Sequence, residues 1–210
     1  MKPLEGAIVK CTEVSMVFPL HRVINYQYLN GTTFEGALRG VFLERSFYKG
    51  LTFHLSHVFI NRYIDISIHE KYGSTLEAAV ISTIGKSITY PLSTIEVNKQ
   101  AKMNIKNYYY GFAPYLMNNA INYYLFWNTL KFYSNVINNV NKQRDSPFKN
   151  ATVGFLTGAT VEVLMNPLKV IKTNFQADQL IKPSFLTRAL VPRMLLSGLQ
   201  VGFFNTILPV

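Results

Sequence analysis

The chain of 210 residues contains a single cysteine, Cys11, and a single tryptophan. One cysteine cannot form an intramolecular disulfide, so a small disulfide-rich scaffold is excluded and Cys11 is interpreted as a packing residue. Acidic residues are also scarce, with 11 Asp and Glu against 21 Lys and Arg, which gives a net charge of +10. This imbalance favours an anionic partner such as nucleic acid, phospholipid or an anionic solute.

Long uninterrupted hydrophobic runs are missing as well, although 49% of the residues are apolar and 15 Phe and 13 Tyr are present. Polar residues interrupt each apolar stretch, which is typical of helices with one lipid-facing side and one side that faces a wet interior. The first residues show neither a secretory signal nor an acid-poor leader, because Glu5 and Glu13 come early. Any membrane targeting is therefore expected to be internal.

Several kinds of chemistry have no sequence pattern to support them. No nucleophile–base arrangement, glycine-rich phosphate loop or carboxylate pair stands out, which argues against an enzyme. His54 and His57 share a helix face, but no nearby Cys or acidic pattern completes a metal site, so no metal or other cofactor is predicted. A nucleic-acid-binding alternative rests on the aromatic run 108–110 beside Lys102 and Lys106. It leaves six apolar stretches unexplained, so no nucleic-acid partner is expected.

A proline followed by leucine recurs at Pro19, Pro91 and Pro167, with spacings of 72 and 76 residues. Thirteen residues before each proline stands a small residue, and nine residues after it a tyrosine or glutamine. These positions are Gly6, Ala78 and Gly154, and then Tyr28, Gln100 and Gln176. Each proline is expected to kink a helix, because it removes one backbone hydrogen bond. The pattern predicts one domain of three repeats, at about 1–72, 73–147 and 148–210, with apolar stretches at about 7–23, 51–68, 78–95, 112–133, 151–171 and 186–208.

Three proline-marked helix pairs resemble the mitochondrial carrier family over nearly the whole chain, as a divergent and shortened member. The resemblance implies an all-α membrane protein with six transmembrane helices, in three pseudo-repeated helix pairs around a central cavity. Most of the stretches reach the roughly 20 residues that a bilayer needs. The family has a short surface helix inside each repeat. Residues 31–50 have room for it, whereas repeats two and three are expected to have lost most of theirs.

The resemblance also implies where a solute and two gates would lie. The solute-binding candidates are His57, Lys86, Asn118, Asn119, Glu162 and Arg193. Lys86 and Glu162 are also singled out as ionisable residues within apolar stretches, either lining a site or pairing across the bundle. The gate candidates are His21, Glu70, Glu96, Gln100, Lys169, Lys172 and Gln176. His21 and Glu96 form a possible pair, and Lys169 departs from the family by standing where an acid is usual.

The predicted function is transport of a small anionic or zwitterionic solute, of the nucleotide, phosphate or carboxylate class, by alternating access. The predicted location is the mitochondrial inner membrane, or the membrane of an organelle derived from a mitochondrion. The expected partners are the solute and membrane lipid, with anionic lipid such as cardiolipin as a candidate, and the chain is expected to be a monomer. The alternative is a carrier-fold scaffold or adaptor that no longer transports, which the eroded motifs after each proline favour.

Overall fold

The structure is a computed structural model that describes residues 2–105, 107–140, 146–177 and 189–207. This part of the chain folds into eight α-helices, which confirms the predicted all-α class. The helices are α1 (Pro3–Asn30), α2 (Phe34–Leu43), α3 (Leu51–Tyr72), α4 (Leu76–Ser87), α5 (Tyr90–Ala101), α6 (Phe112–Val140), α7 (Pro147–Gln176) and α8 (Leu190–Ile207).

The short helix α2 confirms the surface helix predicted within residues 31–50. It follows Gly31, whose φ of 62° ends α1 in the left-handed conformation that glycine tolerates best. Thr33 then caps α2, because its hydroxyl accepts a hydrogen bond from the Gly36 amide. The described residues between α5 and α6 contain no helix, as expected for the second repeat. The corresponding part of the third repeat, residues 178–188, lies outside the described residues.

The three repeated prolines do not have equivalent surroundings. Pro19 and Pro167 lie inside α1 and α7, whereas Pro91 lies in the first turn of α5. The predicted stretch 78–95 is therefore two helices, α4 and α5, separated at Ile88 and Thr89. A proline in the first turn lacks an amide proton that the helix does not use, so a new helix begins there readily.

The helices close into a ring around a polar interior. Contacts link α1 to α3, α3 to α4, α4 to α6, α6 to α7, α7 to α8, and α8 back to α1. The closest approach is between α7 and α8. A Cβ atom placed on Gly158 would lie 2.4 Å from the Ser197 carbonyl oxygen, and one on Gly154 would lie 2.5 Å from that of Val201. These two glycines therefore let the backbones of α7 and α8 touch.

None of the described helices is both long enough and apolar enough to cross a membrane. The prediction of six transmembrane helices is therefore wrong, and the membrane assignment that depended on it is withdrawn. The reason lies in the polar residues within the helices. Arg62 and Asp65 stand within α3, and Glu162, Lys169 and Lys172 stand within α7. The apolar stretches were recognised from their aliphatic and aromatic residues, and these charged positions lower the mean hydropathy of α3 and α7.

Candidate functional site

The ring encloses two adjoining polar cavities, with volumes of about 260 and 130 Å³. We call them the larger and the smaller cavity. Four side chains line both of them: His21, His54, Lys169 and Arg193. The charged residues that line one or both cavities are five cations and three carboxylates. They are Lys10, Arg62, Lys169, Lys172 and Arg193, against Asp65, Glu96 and Glu162.

Glu162 on α7 is a carboxylate that lines the larger cavity, and it is only 1% exposed. Its Oε2 accepts a hydrogen bond from Lys169 Nζ, and its Oε1 accepts one from Arg193 Nε at 3.1 Å. Burial by itself would raise the pKa of Glu162, but Lys169 and Arg193 hold this pKa below its ordinary value. One ionised carboxylate is therefore paired with two cations, so the group of Lys169, Glu162 and Arg193 carries a net positive charge.

Two other ion pairs around the larger cavity are balanced. Lys86 Nζ lies 2.5 Å from Asp65 Oδ1, and this oxygen also accepts a hydrogen bond from the Ser82 hydroxyl. Lys10 Nζ lies 2.8 Å from Glu13 Oε1 within α1. Each pair has one cation and one carboxylate, so the excess charge of the cavities has another source.

Arg62 and Lys172 are a second source of positive charge, beside Lys169 and Arg193, and the ionised Glu96 offsets part of it. Arg62 has its guanidinium 4.2 Å from the centre of the Phe204 ring, and its Nε has no hydrogen-bond partner. Lys172 Nζ lies 5.3 Å from the centre of the Tyr115 ring, and no carboxylate of the described residues lies within ion-pair distance of it. Burial lowers the pKa of Lys172 to about 8, so its amine is charged in most molecules at pH 7.

Three helices bring histidines and a glutamate together beside the smaller cavity. We call His21 of α1, His54 of α3 and Glu96 of α5 the histidine cluster; the ligand-type atoms of these residues lie within 4.8 Å of one another. His54 Nδ1 is 2.9 Å from Glu96 Oε2, and the rings of His21 and His54 have centroids 4.5 Å apart. His57, one turn further along α3, places its Nδ1 3.5 Å from the same Glu96 oxygen.

The protonation states within this region follow from burial and from the neighbouring charges. Burial and the adjacent His54 lower the pKa of His21 well below its ordinary value, and burial lowers that of His57 to about 3. Both rings are therefore neutral at pH 7. Burial would raise the pKa of Glu96, but His54, His57 and Lys172 together bring it below the ordinary value. Glu96 is therefore ionised.

The other predicted site residues lie in several different places. Asn118 lines the smaller cavity, whereas Asn119 lies beside Tyr115 and lines neither cavity. Lys86 reaches the larger cavity through its partner, Asp65. Glu70 is exposed near the end of α3 and lines neither cavity.

The two predicted glutamines join helices to one another. Gln100 donates to Glu96 Oε1 at 3.2 Å and accepts from Asn25 at 2.8 Å, so it connects α1 to α5. Gln176 donates to the Ser93 hydroxyl at 3.1 Å, which connects α7 to α5. Lys10 was not singled out from the sequence. Its signal was the opposite charge of Glu13 three residues later, inside an apolar stretch.

No protein-family model matches the chain, and no curated protein matches it. The resemblance to mitochondrial carriers accordingly stays a prediction.

Proposed function

We propose that this protein binds a small anionic solute, of the phosphate or short carboxylate class, in the two adjoining cavities. The observation that carries the proposal is the excess of cations over carboxylates, and above all the position of Lys172. Lys172 lines the smaller cavity and makes no ion pair with a carboxylate of the described residues, although the ionised Glu96 of the same cavity lies near enough to raise its pKa. A buried cation without a direct ion-pair partner is costly, and a bound anion would offset that cost.

Hydrogen-bond donors are also available to hold such an anion. Arg193 binds Glu162 through Nε, while its buried Nη1 has no hydrogen-bond partner. Lys172 and Arg193 both line the smaller cavity, together with one carboxylate, Glu96, so an anion placed beside the two cations meets two cationic donors. Charge-assisted hydrogen bonds of this kind are the strong ones in proteins. Glu162 would at the same time accept from the ammonium group of a zwitterion.

The cavity volumes narrow the class of solute. Ligand pockets for drug-sized molecules occupy roughly 300–1,000 Å³. The larger cavity, at about 260 Å³, is just below that range, and the smaller one is about half its size. Phosphate and short dicarboxylates fit this space better than a nucleotide does.

The test is isothermal titration of the purified full-length chain with phosphate and with malonate, at constant ionic strength in chloride buffer. Lys172→Met is expected to weaken binding roughly 10- to 100-fold, because a hydrogen bond to a charged group contributes about 1.5–3 kcal/mol. Lys131→Met is the matched control, since Lys131 is exposed on α6 and should leave the affinity unchanged. The proposal fails if the folded chain binds neither anion, or if Lys172→Met binds as tightly as the unmodified chain.

Transport of the bound solute, the alternative role as a scaffold, and the mitochondrial location stay predictions from the sequence. Contact with lipid also stays a prediction; large apolar side chains such as Ile84, Leu164 and Leu199 are exposed. Uptake of labelled malonate into vesicles that contain the protein would test transport separately from binding.

A further inference from the structure

We propose that His21, His54 and Glu96, the histidine cluster, form a binding site for a divalent transition metal ion, for which Zn²⁺ is the best match. The histidine cluster lines the smaller cavity, so the metal site would adjoin the proposed anion site, but it rests on different side chains from Lys172. Two imidazoles and one carboxylate are a recurrent ligand set for zinc sites that keep a fourth position open. Here the three ligands come from α1, α3 and α5, so the ion would link three helices.

The distances suit a site that tightens when the ion enters. Zinc at about 2.0–2.2 Å from each of four tetrahedral ligands places those ligands about 3.3 Å apart. His54 Nδ1 and Glu96 Oε2 are already 2.9 Å apart. The widest separation in the cluster is no more than 4.8 Å, so closure requires a shift of about 1.5 Å. Because His54 and Glu96 are already close, this shift falls on the His21 side chain.

The two histidines of α3 already face the carboxylate that would share the ion with them. His54 Nδ1 lies 2.9 Å from Glu96 Oε2, and His57 Nδ1 lies 3.5 Å from the same oxygen. Metal binding to such a pair displaces the proton that the imidazole and the carboxylate share. Zn²⁺ would therefore replace the direct contact between His54 and Glu96 with two bonds to the metal.

The surroundings of the cluster are also those of a metal site. Metal ions bind imidazole nitrogens and carboxylate oxygens, which are the ligand atoms that the histidine cluster offers. Gln100 donates a hydrogen bond to the other Glu96 oxygen, at 3.2 Å, and Asn25 Nδ2 lies 3.4 Å from His21 Nδ1. Contacts of this type orient metal ligands.

The type of ligand selects the type of ion. Imidazole suits Zn²⁺, Cu²⁺ and Ni²⁺, whereas Ca²⁺ and Mg²⁺ prefer sites made of oxygen atoms alone. Lys172 and Arg193 add positive charge nearby and oppose a dication. The affinity is therefore expected to be below that of structural zinc sites with four protein ligands.

The experiment uses untagged full-length protein, because a histidine tag would bind the same ions. Titration with Zn²⁺ is followed by calorimetry, and titration with Co²⁺ by visible absorption. We expect one bound ion per chain and the intense absorption near 600 nm that tetrahedral Co²⁺ produces. A folded chain that binds no Zn²⁺, or that shows only the weak absorption of octahedral Co²⁺, overturns the proposal without any variant.

Variants then identify the ligands. His54→Gln and Glu96→Gln keep the side-chain size and are each expected to weaken Zn²⁺ binding by roughly 100-fold or more, since loss even of an outer contact costs 10- to 100-fold. His69→Gln is the matched control, because His69 is also on α3 but stacks on Trp127 at 3.6 Å. Circular dichroism checks that each variant is folded. Equal losses in His54→Gln and His69→Gln would contradict the assignment, as would unchanged binding in Glu96→Gln.

One further variant separates this inference from the proposed anion site. Lys172→Met should lose anion affinity and bind Zn²⁺ with the same or higher affinity, because it removes a nearby positive charge and no metal ligand. Glu96→Gln should lose Zn²⁺ binding in chloride buffer, where no phosphate or carboxylate is present. The anion titration therefore tests the anion site, and the Zn²⁺ titration tests the metal site, so either proposal can fail without the other.

Discussion

Replacing Glu162 by glutamine tests how the interior of the ring balances its charge. The substitution keeps the size of the side chain and removes one negative charge from a residue that is 1% exposed. Lys169 and Arg193 would then both lose their carboxylate. The folded state should be destabilised, because two cations would stay in the interior without a counter-charge.

The magnitude follows from the exposure of the three side chains. Breaking a fully buried ion pair costs about 3–5 kcal/mol. The side chains of Lys169 and Arg193 retain 19% and 16% exposure, so water screens them in part, and we take the lower end, about 3 kcal/mol. For a chain of this size each kcal/mol shifts the melting temperature by about 2–4 °C, so Glu162→Gln should melt about 6–12 °C lower.

The assay is thermal unfolding with and without malonate. In Glu162→Gln the anion would replace the lost carboxylate, so saturating malonate should raise the melting temperature more than it does in the unmodified chain. Glu5→Gln is the control, because Glu5 faces Lys2 across an exposed pair at 3.7 Å and such pairs contribute less than about 1 kcal/mol. The reasoning is refuted if Glu162→Gln melts within about 2 °C of the unmodified chain, or if malonate stabilises it less.

Two further predictions concern packing and pH. Gly158→Ala should lower the melting temperature by about 4–8 °C, because the new methyl group meets the Ser197 carbonyl oxygen and overpacking outweighs the gain in helix propensity by about 2 kcal/mol. Gly85→Ala, whose methyl group meets only the Ile64 side chain at 3.2 Å, should have little effect, and an equal loss there would contradict the argument. Malonate affinity should fall as pH rises through about 8, where Lys172 loses its charge; Glu96 and Arg193, which face it, keep theirs. A flat profile in calorimetry from pH 7 to 9, or the same fall in Lys172→Met, would count against Lys172.

The sequence predicted local structure better than it predicted the environment of the helices. The all-α class followed from apolar stretches of helical length, and the short helix α2 from the carrier resemblance and the room that residues 31–50 leave for it. The membrane assignment was wrong because it treated interrupted apolar stretches as spans. Some described helices, such as α4 and α5 with 12 residues each, are too short for a span, and none of the longer ones is apolar enough. The proline at position 91 shows the same limit. Its pattern matches Pro19 and Pro167, but only the structure reveals that a helix begins there.

The histidine cluster shows what a search along one helix cannot find. His54 and His57 were set aside as metal ligands because no acidic residue stands near them in the sequence, and that statement about the sequence is correct. The carboxylate that completes the set, Glu96, is 42 residues from His54 and belongs to another helix. It became a neighbour because α5 packs against both α1 and α3, a contact that no local pattern encodes. The sequence still contained a general indication of this cluster, because ionisable side chains within apolar helices need polar or charged partners in the folded protein. A search for every such residue, without regard to its distance along the chain, would have grouped His21, His54 and Glu96 as candidates and left the helix packing to decide among them.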